Sequence, residues 1–191
     1  MSTIALIRHG ETGMAGRFCG HSDPDLNAVG HHEAIHVAEE VSRLSIARIY
    51  SSDLRRASQT AKAIAQQTGI AADYLTGLRE VHFGQWEGLT WQEIEARFPD
   101  EADQWLREFP LRSAPGGETY TAFTARVETA IAALLCEAAG MTIAVVTHRG
   151  VMRHALTKFF GFAETEAWER TAAYGATVIA AIPPSVCEVL P

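Results

Sequence analysis

The sequence predicts an α/β fold, a three-layer α/β/α sandwich around a mostly parallel central sheet. Four runs, at residues 3–7, 48–51, 142–146 and 176–182, read as buried strands. The first, third and fourth are nearly all apolar and rich in Ile and Val, as expected of central parallel strands covered on both faces. Stretches of helical apolar periodicity lie between them, and strands alternating with helices of this length indicate βα units.

The strand at 3–7 opens the chain. After it, Ala34, Val37, Ala38, Val41 and Leu44 fall on one helical face, leading into the strand at 48–51. Leu54, Ala57, Ala61, Ile64 and Ala65 form the stripe of the next helix. A third stripe runs Tyr120, Phe123, Val127, Ala130, Ile131 and Leu134 before the strand at 142–146, and a shorter one runs Val151, Met152, Ala155, Leu156 and Phe159 after it. The stretch 83–118 differs: it holds three of the four tryptophans, with Pro99, Pro110, Pro115 and the Gly116-Gly117 pair. It reads as an insertion of short helices and loop, either walling a pocket or packing as a satellite cluster on the core.

At 191 residues and 47% hydrophobic content, the chain suits one domain spanning 1–191. No apolar run approaches the roughly 20 residues of a membrane span, and the N-terminus lacks the basic region of a signal peptide, so a cytoplasmic protein without membrane partners is expected. Cys19, Cys136 and Cys187 show no CxxC spacing, and are read as thiols in a reducing compartment. A formal charge of −7 argues against a nucleic-acid partner. His32 and His36 have the spacing of a metal pair but no evident third ligand, so they are read as a solvated helix face and no metal is expected.

Polar residues collect where strands end. Arg8-His9-Gly10-Glu11-Thr12 follows the first strand, Ser51-Ser52-Asp53 and then Arg55 follow the second, and Thr147-His148-Arg149-Gly150 follows the run at 142–146. Ligands of open parallel sheets bind outside the carboxyl ends of the strands, so two histidines and two arginines are delivered to one edge. Arginine offers paired donors to phosphate oxygens and keeps its charge. At an effective dielectric near 20, one contact at ~4 Å amounts to roughly 4 kcal/mol before desolvation. The same cations disfavour protonation of His9, leaving it a neutral nucleophile toward phosphorus. Taken singly, each residue has a plain structural reading: a hydrogen-bonding histidine, a solvated Arg55, an N-cap at Ser52 or Asp53.

The run Leu6-Ile7-Arg8-His9-Gly10-Glu11-Thr12 resembles the phosphoacceptor motif of the histidine phosphatase (phosphoglycerate mutase-like) superfamily. Residues 16–23, 51–61, 78–88 and 146–153 resemble the family's phosphate loop, second arginine motif, proton-donor loop and second histidine motif, in the family's order. The resemblance implies that His9 is the nucleophile, that Arg8, Arg55 and His148 form the phosphate pocket, and that Cys19, Gly20 and His82 touch substrate. It implies that Glu80 protonates the leaving alkoxide and then activates water, which needs a carboxyl able to hold a proton near the working pH and suggests an optimum on the acidic side of neutral. Arginines and imidazoles supply the positive charge, so no cofactor is implied.

Within the superfamily the chain looks nearest to compact bacterial alpha-ribazole phosphatases of cobalamin assembly. The support is its brevity, the loop from Gly16-Arg17 to Gly20, the phrase Phe83-Gly84-Gln85-Trp86-Glu87-Gly88 and the turn Pro115-Gly116-Gly117-Glu118. The expected partner is a small phosphorylated metabolite, and the resemblance allows a homodimer. A cofactor-dependent phosphoglycerate mutase activity, with Arg107 and Arg112 as the only replacements for its basic segment, is the alternative. A phospho-ligand sensor that does not turn its ligand over is a third reading. Two departures from the family pattern bear on substrate preference: Ala15 where many members carry asparagine, and Arg149 where a small residue is usual.

Overall fold

A computed structural model describes residues 2–183. Cys187, read above as a thiol, lies outside the described residues. Five strands form one sheet in the order β3-β2-β4-β1-β5: β1 (Thr3–Arg8), β2 (Arg48–Ser52), β3 (Ala72–Leu75), β4 (Thr142–Thr147) and β5 (Thr177–Ala181). The pairs β1–β4, β2–β4 and β2–β3 are parallel, with Arg8 opposite Thr147 at the carboxyl end of the central pair.

Alternation along the strands builds two cores. Ile4, Leu6, Ile143 and Val145 face helices α5 (Tyr120–Glu137) and α6 (Arg149–Phe160). Ala5, Ile7, Ala144 and Val146 face α1 (Ala28–Val41) and α2 (Arg55–Thr68). Period-2 side-chain direction makes one apolar strand serve both layers, which gives the expected sandwich. The buried stripes are those the periodicity marks: Ala34, Val37, Ala38 and Val41 on α1, and Phe123, Val127, Ile131 and Leu134 on α5. The Asn27 side chain caps α1 by accepting from the Gly30 amide at 2.8 Å. Gly69 and Gly161, with φ of 74° and 70°, end α2 and α6 in the left-handed conformation.

The sheet departs from expectation at both edges. The last strand is an antiparallel edge strand paired with β1, with Val178 and Ala180 buried and Ile179 47% exposed, so the reading of a central parallel strand is corrected. Its outward positions are filled by Ile and Ala, so composition hides the one-sided burial. At the other edge β3 is an additional strand of four residues, with Asp73 and Tyr74 exposed, too short and polar for an apolar-run reading. A further short helix, α7 (Glu164–Arg170), follows α6 and buries Ala167.

The stretch 83–118 forms α3 (Trp91–Arg97), α4 (Pro99–Glu108) and flanking loops. Thr90 and Glu93 make a reciprocal capping box at the start of α3, and Pro99 stands at the start of α4. The fully buried Trp86 packs with Ile94, Ala102 and Ala114, and Phe18 joins them from the loop after β1. Phe18 also pairs with this stretch through its backbone, donating to Leu89 at 2.8 Å and accepting from Gly88 at 2.8 Å. The cluster is a core of its own, and Phe83, Trp105 and Phe109 of the same stretch line a cavity.

Candidate active site

The cavity, of about 720 Å³, opens over the carboxyl ends of β1 and β4. Arg8, His9, Cys19, Glu80 and His82 lie on its wall.

His9 leaves β1 with only 7% of its surface exposed. Its Nδ1 lies 2.7 Å from the Gly10 carbonyl. A carbonyl can only accept, so Nδ1 carries the proton and Nε2 keeps its lone pair. That lone pair accepts from Arg56 Nε at 3.2 Å. Burial and the Arg56 guanidinium hold the His9 pKa well below the usual histidine value, with Arg8 adding to the effect against the Gly10 hydrogen bond. The loop carrying His9 is fixed by a close backbone approach: a Cβ on Gly10 would stand 2.4 Å from the Gly30 carbonyl oxygen, and one on Gly30 would stand 2.0 Å from that of Glu11.

The arginine that reaches His9 is Arg56, and this corrects the assignment of Arg55. The buried face of α2 carries Arg56, Ala57, Thr60 and Ala61, and Thr60 Oγ1 accepts the Gly10 amide at 3.1 Å. Arg55, one residue and about 100° earlier around the helix, points outward and donates to Asp25. Gln59, four residues on, reaches the same Asp25 at 2.6 Å. The Arg56 guanidinium is fully buried, donating to the Ser22 carbonyl at 2.7 Å and to the carbonyls of Cys19 and Gly20 at 3.2 and 2.7 Å. Cys19 and Gly20 thus meet the site first as backbone acceptors. Gly20 is required because a Cβ there would fall 2.1 Å from the Val81 carbonyl oxygen.

His148 stands just before α6, fully buried, with its ring centroid 5.0 Å from that of His9. Ser52 Oγ accepts the Leu54 amide and lies 2.9 Å from His148 Nε2, so the hydroxyl can give its proton to that nitrogen. The remaining Nδ1 is buried without a hydrogen-bond partner. An orphan donor beside His9 is a place for a ligand oxygen. Burial, Arg56 and His9 together push the His148 pKa well below its usual value.

Arg8 stacks on Tyr174, with its guanidinium carbon 4.0 Å from the ring centroid, and donates to the Thr171 and Ala172 carbonyls. Glu80, 9% exposed, accepts from the Val81 amide at 3.0 Å through Oε1 and from the Gly150 amide at 2.9 Å through Oε2. Its carbonyl oxygen takes Arg126 Nη2 at 2.8 Å and lies 3.0 Å from His21 Nε2. His82 faces His21 with ring centroids 4.9 Å apart. His32 and His36 lie exposed on α1, as the solvated-face reading expects.

Four contributors were not marked as site residues by sequence reasoning. Arg56 hides behind a one-residue ambiguity in an Arg-Arg pair, which the helical phase of Ala57 and Ala61 could have resolved. Tyr174 and Trp168 come from the segment after α6, which carries no motif. Glu87 accepts from the amides of Gly20, His21, Ser22 and Phe83 and from the Ser22 hydroxyl. Burial alone would raise its pKa, but these hydrogen bonds hold it below the usual carboxylate value.

Comparison with known proteins adds independent support for the fold. The chain is 26% identical to an alpha-ribazole phosphatase from Shigella flexneri over 95% of this chain and 91% of that one, with a TM-score of 0.85. It is 25% identical to a mycobacterial glucosyl-3-phosphoglycerate phosphatase complexed with VO3, over 98% and 94%, with a TM-score of 0.84. Among curated relatives, a Mycobacterium tuberculosis glucosyl-3-phosphoglycerate phosphatase is 35% identical over 69% of this chain, and the match spans 60% of that protein's length. Phosphoserine phosphatase 1 of Hydrogenobacter thermophilus is 29% identical over 88% of this chain and 81% of its own. Residues 4–190, nearly the whole sequence, match the histidine phosphatase superfamily (branch 1), and the chain belongs to that family.

Proposed function

We propose that the chain hydrolyses small phosphate monoesters through a phosphohistidine formed on His9. The observation that carries this reading is the state of the His9 ring: it is neutral, its Nδ1–H is spent on the Gly10 carbonyl, and its Nε2 lone pair stands at the cavity among guanidinium groups.

In the first step the Arg56 Nε–H leaves His9 Nε2 for a phosphoryl oxygen, and the freed Nε2 lone pair forms the N–P bond as the P–O bond to the leaving group breaks. Arg8, Arg56 and the orphan His148 Nδ1–H take up charge on the phosphoryl oxygens, the kind of preorganised stabilisation that supplies much of enzymatic rate enhancement. Glu80 gives its proton to the departing alkoxide. In the second step Glu80 takes a proton from water, which attacks phosphorus, and the N–P bond breaks to release phosphate. The amides of Val81 and Gly150 orient the Glu80 carboxyl for both transfers. No step uses a metal ion.

Relatives named for glucosyl-3-phosphoglycerate, phosphoserine and alpha-ribazole substrates surround the chain, so a phosphorylated metabolite is the proposed substrate class, with alpha-ribazole phosphate one member to assay. Burst release from p-nitrophenyl phosphate, with an alkali-stable phosphoenzyme that His9→Ala abolishes and excess chelator leaves intact, is the expected result. Equal inertness of wild type and His9→Ala would leave a sensor as the better account.

A further inference from the structure

Three arginines on the cavity wall keep a buried donor unspent: Nε of Arg8, Arg149 and Arg153 each lacks a hydrogen-bond partner. Arg8 belongs to the phosphoryl site. The other two stand four residues apart on α6, on one helical face. Their guanidinium carbons lie 4.0 and 4.4 Å from the ring centroid of Trp168, which holds both against one indole.

The charge on this wall is not balanced from within. Arg149 gives one hydrogen bond, to the Trp168 carbonyl at 3.3 Å, and forms no ion pair among the described residues. Among the described residues Arg153 pairs only with Glu164, at 3.4 Å. Of the other carboxylates on the wall, Glu80 is spent on two backbone amides and Glu118 is held by Arg126. Burial, then repulsion from Arg8 and Arg153, lower the Arg149 pKa against the weaker attraction of Glu80 and Tyr174. A half-buried cation whose Nε–H is buried without a partner is costly to keep unless a ligand answers it. The two arginines that the sequence offers for a second acidic group fit less well: Arg107 is paired with Asp103 away from the cavity, and Arg112 is bound to Gln104 at 2.5 Å.

We propose that Arg149 and Arg153, steadied on Trp168, form a subsite for a second acidic group of the substrate. Favoured ligands are then phosphomonoesters whose alcohol also carries a carboxylate or another phosphate. This deepens the phosphatase reading and rests on it for the position of the first phosphate.

The test uses ligand pairs that differ by one acidic group: phosphoserine against phosphoethanolamine, and fructose 1,6-bisphosphate against fructose 6-phosphate. Wild type should prefer the more acidic member of at least one pair, and the pair with the larger preference identifies the second group. Arg149→Met, which keeps an aliphatic stem on Trp168, should lower that preference roughly 10- to 100-fold, mainly through KM. Arg153→Met should lower it in the same sense. An equal loss on both members would mean that Arg149 serves the reacting phosphoryl group, and no loss on either would make it structural; both overturn the subsite. Calorimetry on His9→Ala with the same pairs reads the preference without turnover. A preference seen there, in a protein whose wild type hydrolyses nothing, would keep the subsite and defeat only the phosphatase reading.

Discussion

Arg56 donates its Nε–H to His9 Nε2 at 3.2 Å from a fully buried guanidinium, whereas Arg55, one residue earlier on α2, pairs with Asp25 in solvent. The two neighbours therefore have opposite expected consequences. Arg56→Ala should lower kcat/KM roughly 10²- to 10³-fold, the usual effect of removing a preorganised donor from a transition state. Arg55→Ala should change it by less than about 3-fold, because exposed ion pairs contribute little. Steady-state kinetics on p-nitrophenyl phosphate decides, and the reverse ranking would restore Arg55 to the site.

That pair also marks how far the sequence carries the reading. The strand ends at Arg8 and Thr147, the nucleophile loop and the helical stripes were legible because parallel pairing and apolar periodicity leave direct traces in residue order. Which arginine turns inward depends on the helix start and a rotation of about 100° per residue, so an error of one position reverses the result. Arg8 resting on Tyr174 and the idle arginines on Trp168 come from long-range packing of a motif-free segment, and β5 and β3 from which side of the sheet is covered. Sequence periodicity does not encode these.

Glu80 and Gly150 are in close contact, and a Cβ on Gly150 would lie 2.3 Å from Glu80 Oε1. Gly150→Ala should therefore displace the carboxyl or the start of α6 and reduce kcat about 10²-fold, comparable to an ångström of misplacement. Glu80→Gln keeps the shape but removes the proton, and should cost roughly 10²- to 10⁴-fold. Circular dichroism would confirm that both variants stay folded. Unchanged turnover in Glu80→Gln would exclude it as the acid.

The buried imidazoles predict a pH-dependent stability. Burial, with Arg56 adding to it, holds the His9 and His148 pKa values below the unfolded value of about 6.5. Between the folded and unfolded values the unfolded chain binds the extra protons, so stability is full above about pH 6.5 and falls as pH drops below it, by roughly 1.4 kcal/mol per pH unit for each ring. Urea midpoints measured from pH 8 to 5.5 should decline in wild type and decline less in His9→Asn/His148→Asn. A flat wild-type curve over that range would contradict the assignment of two neutral, buried rings.

Glu87 supports the site from behind, receiving four backbone amides and the Ser22 hydroxyl. Glu87→Gln places two N–H donors among those donors and should destabilise the protein by about 1–3 kcal/mol. It should also raise KM, because the loop whose carbonyls hold Arg56 loses its anchor. Denaturant titration alongside kinetics tests both effects, and a silent variant would remove Glu87 from this role.

The stitching of Phe18 to Gly88 and Leu89, with Glu87 gripping residues 20–22, has a mechanical consequence. These bonds tie the aromatic wall to the loop whose carbonyls hold Arg56 against His9, so tilting the wall outward is expected to shift the imidazole proposed to react.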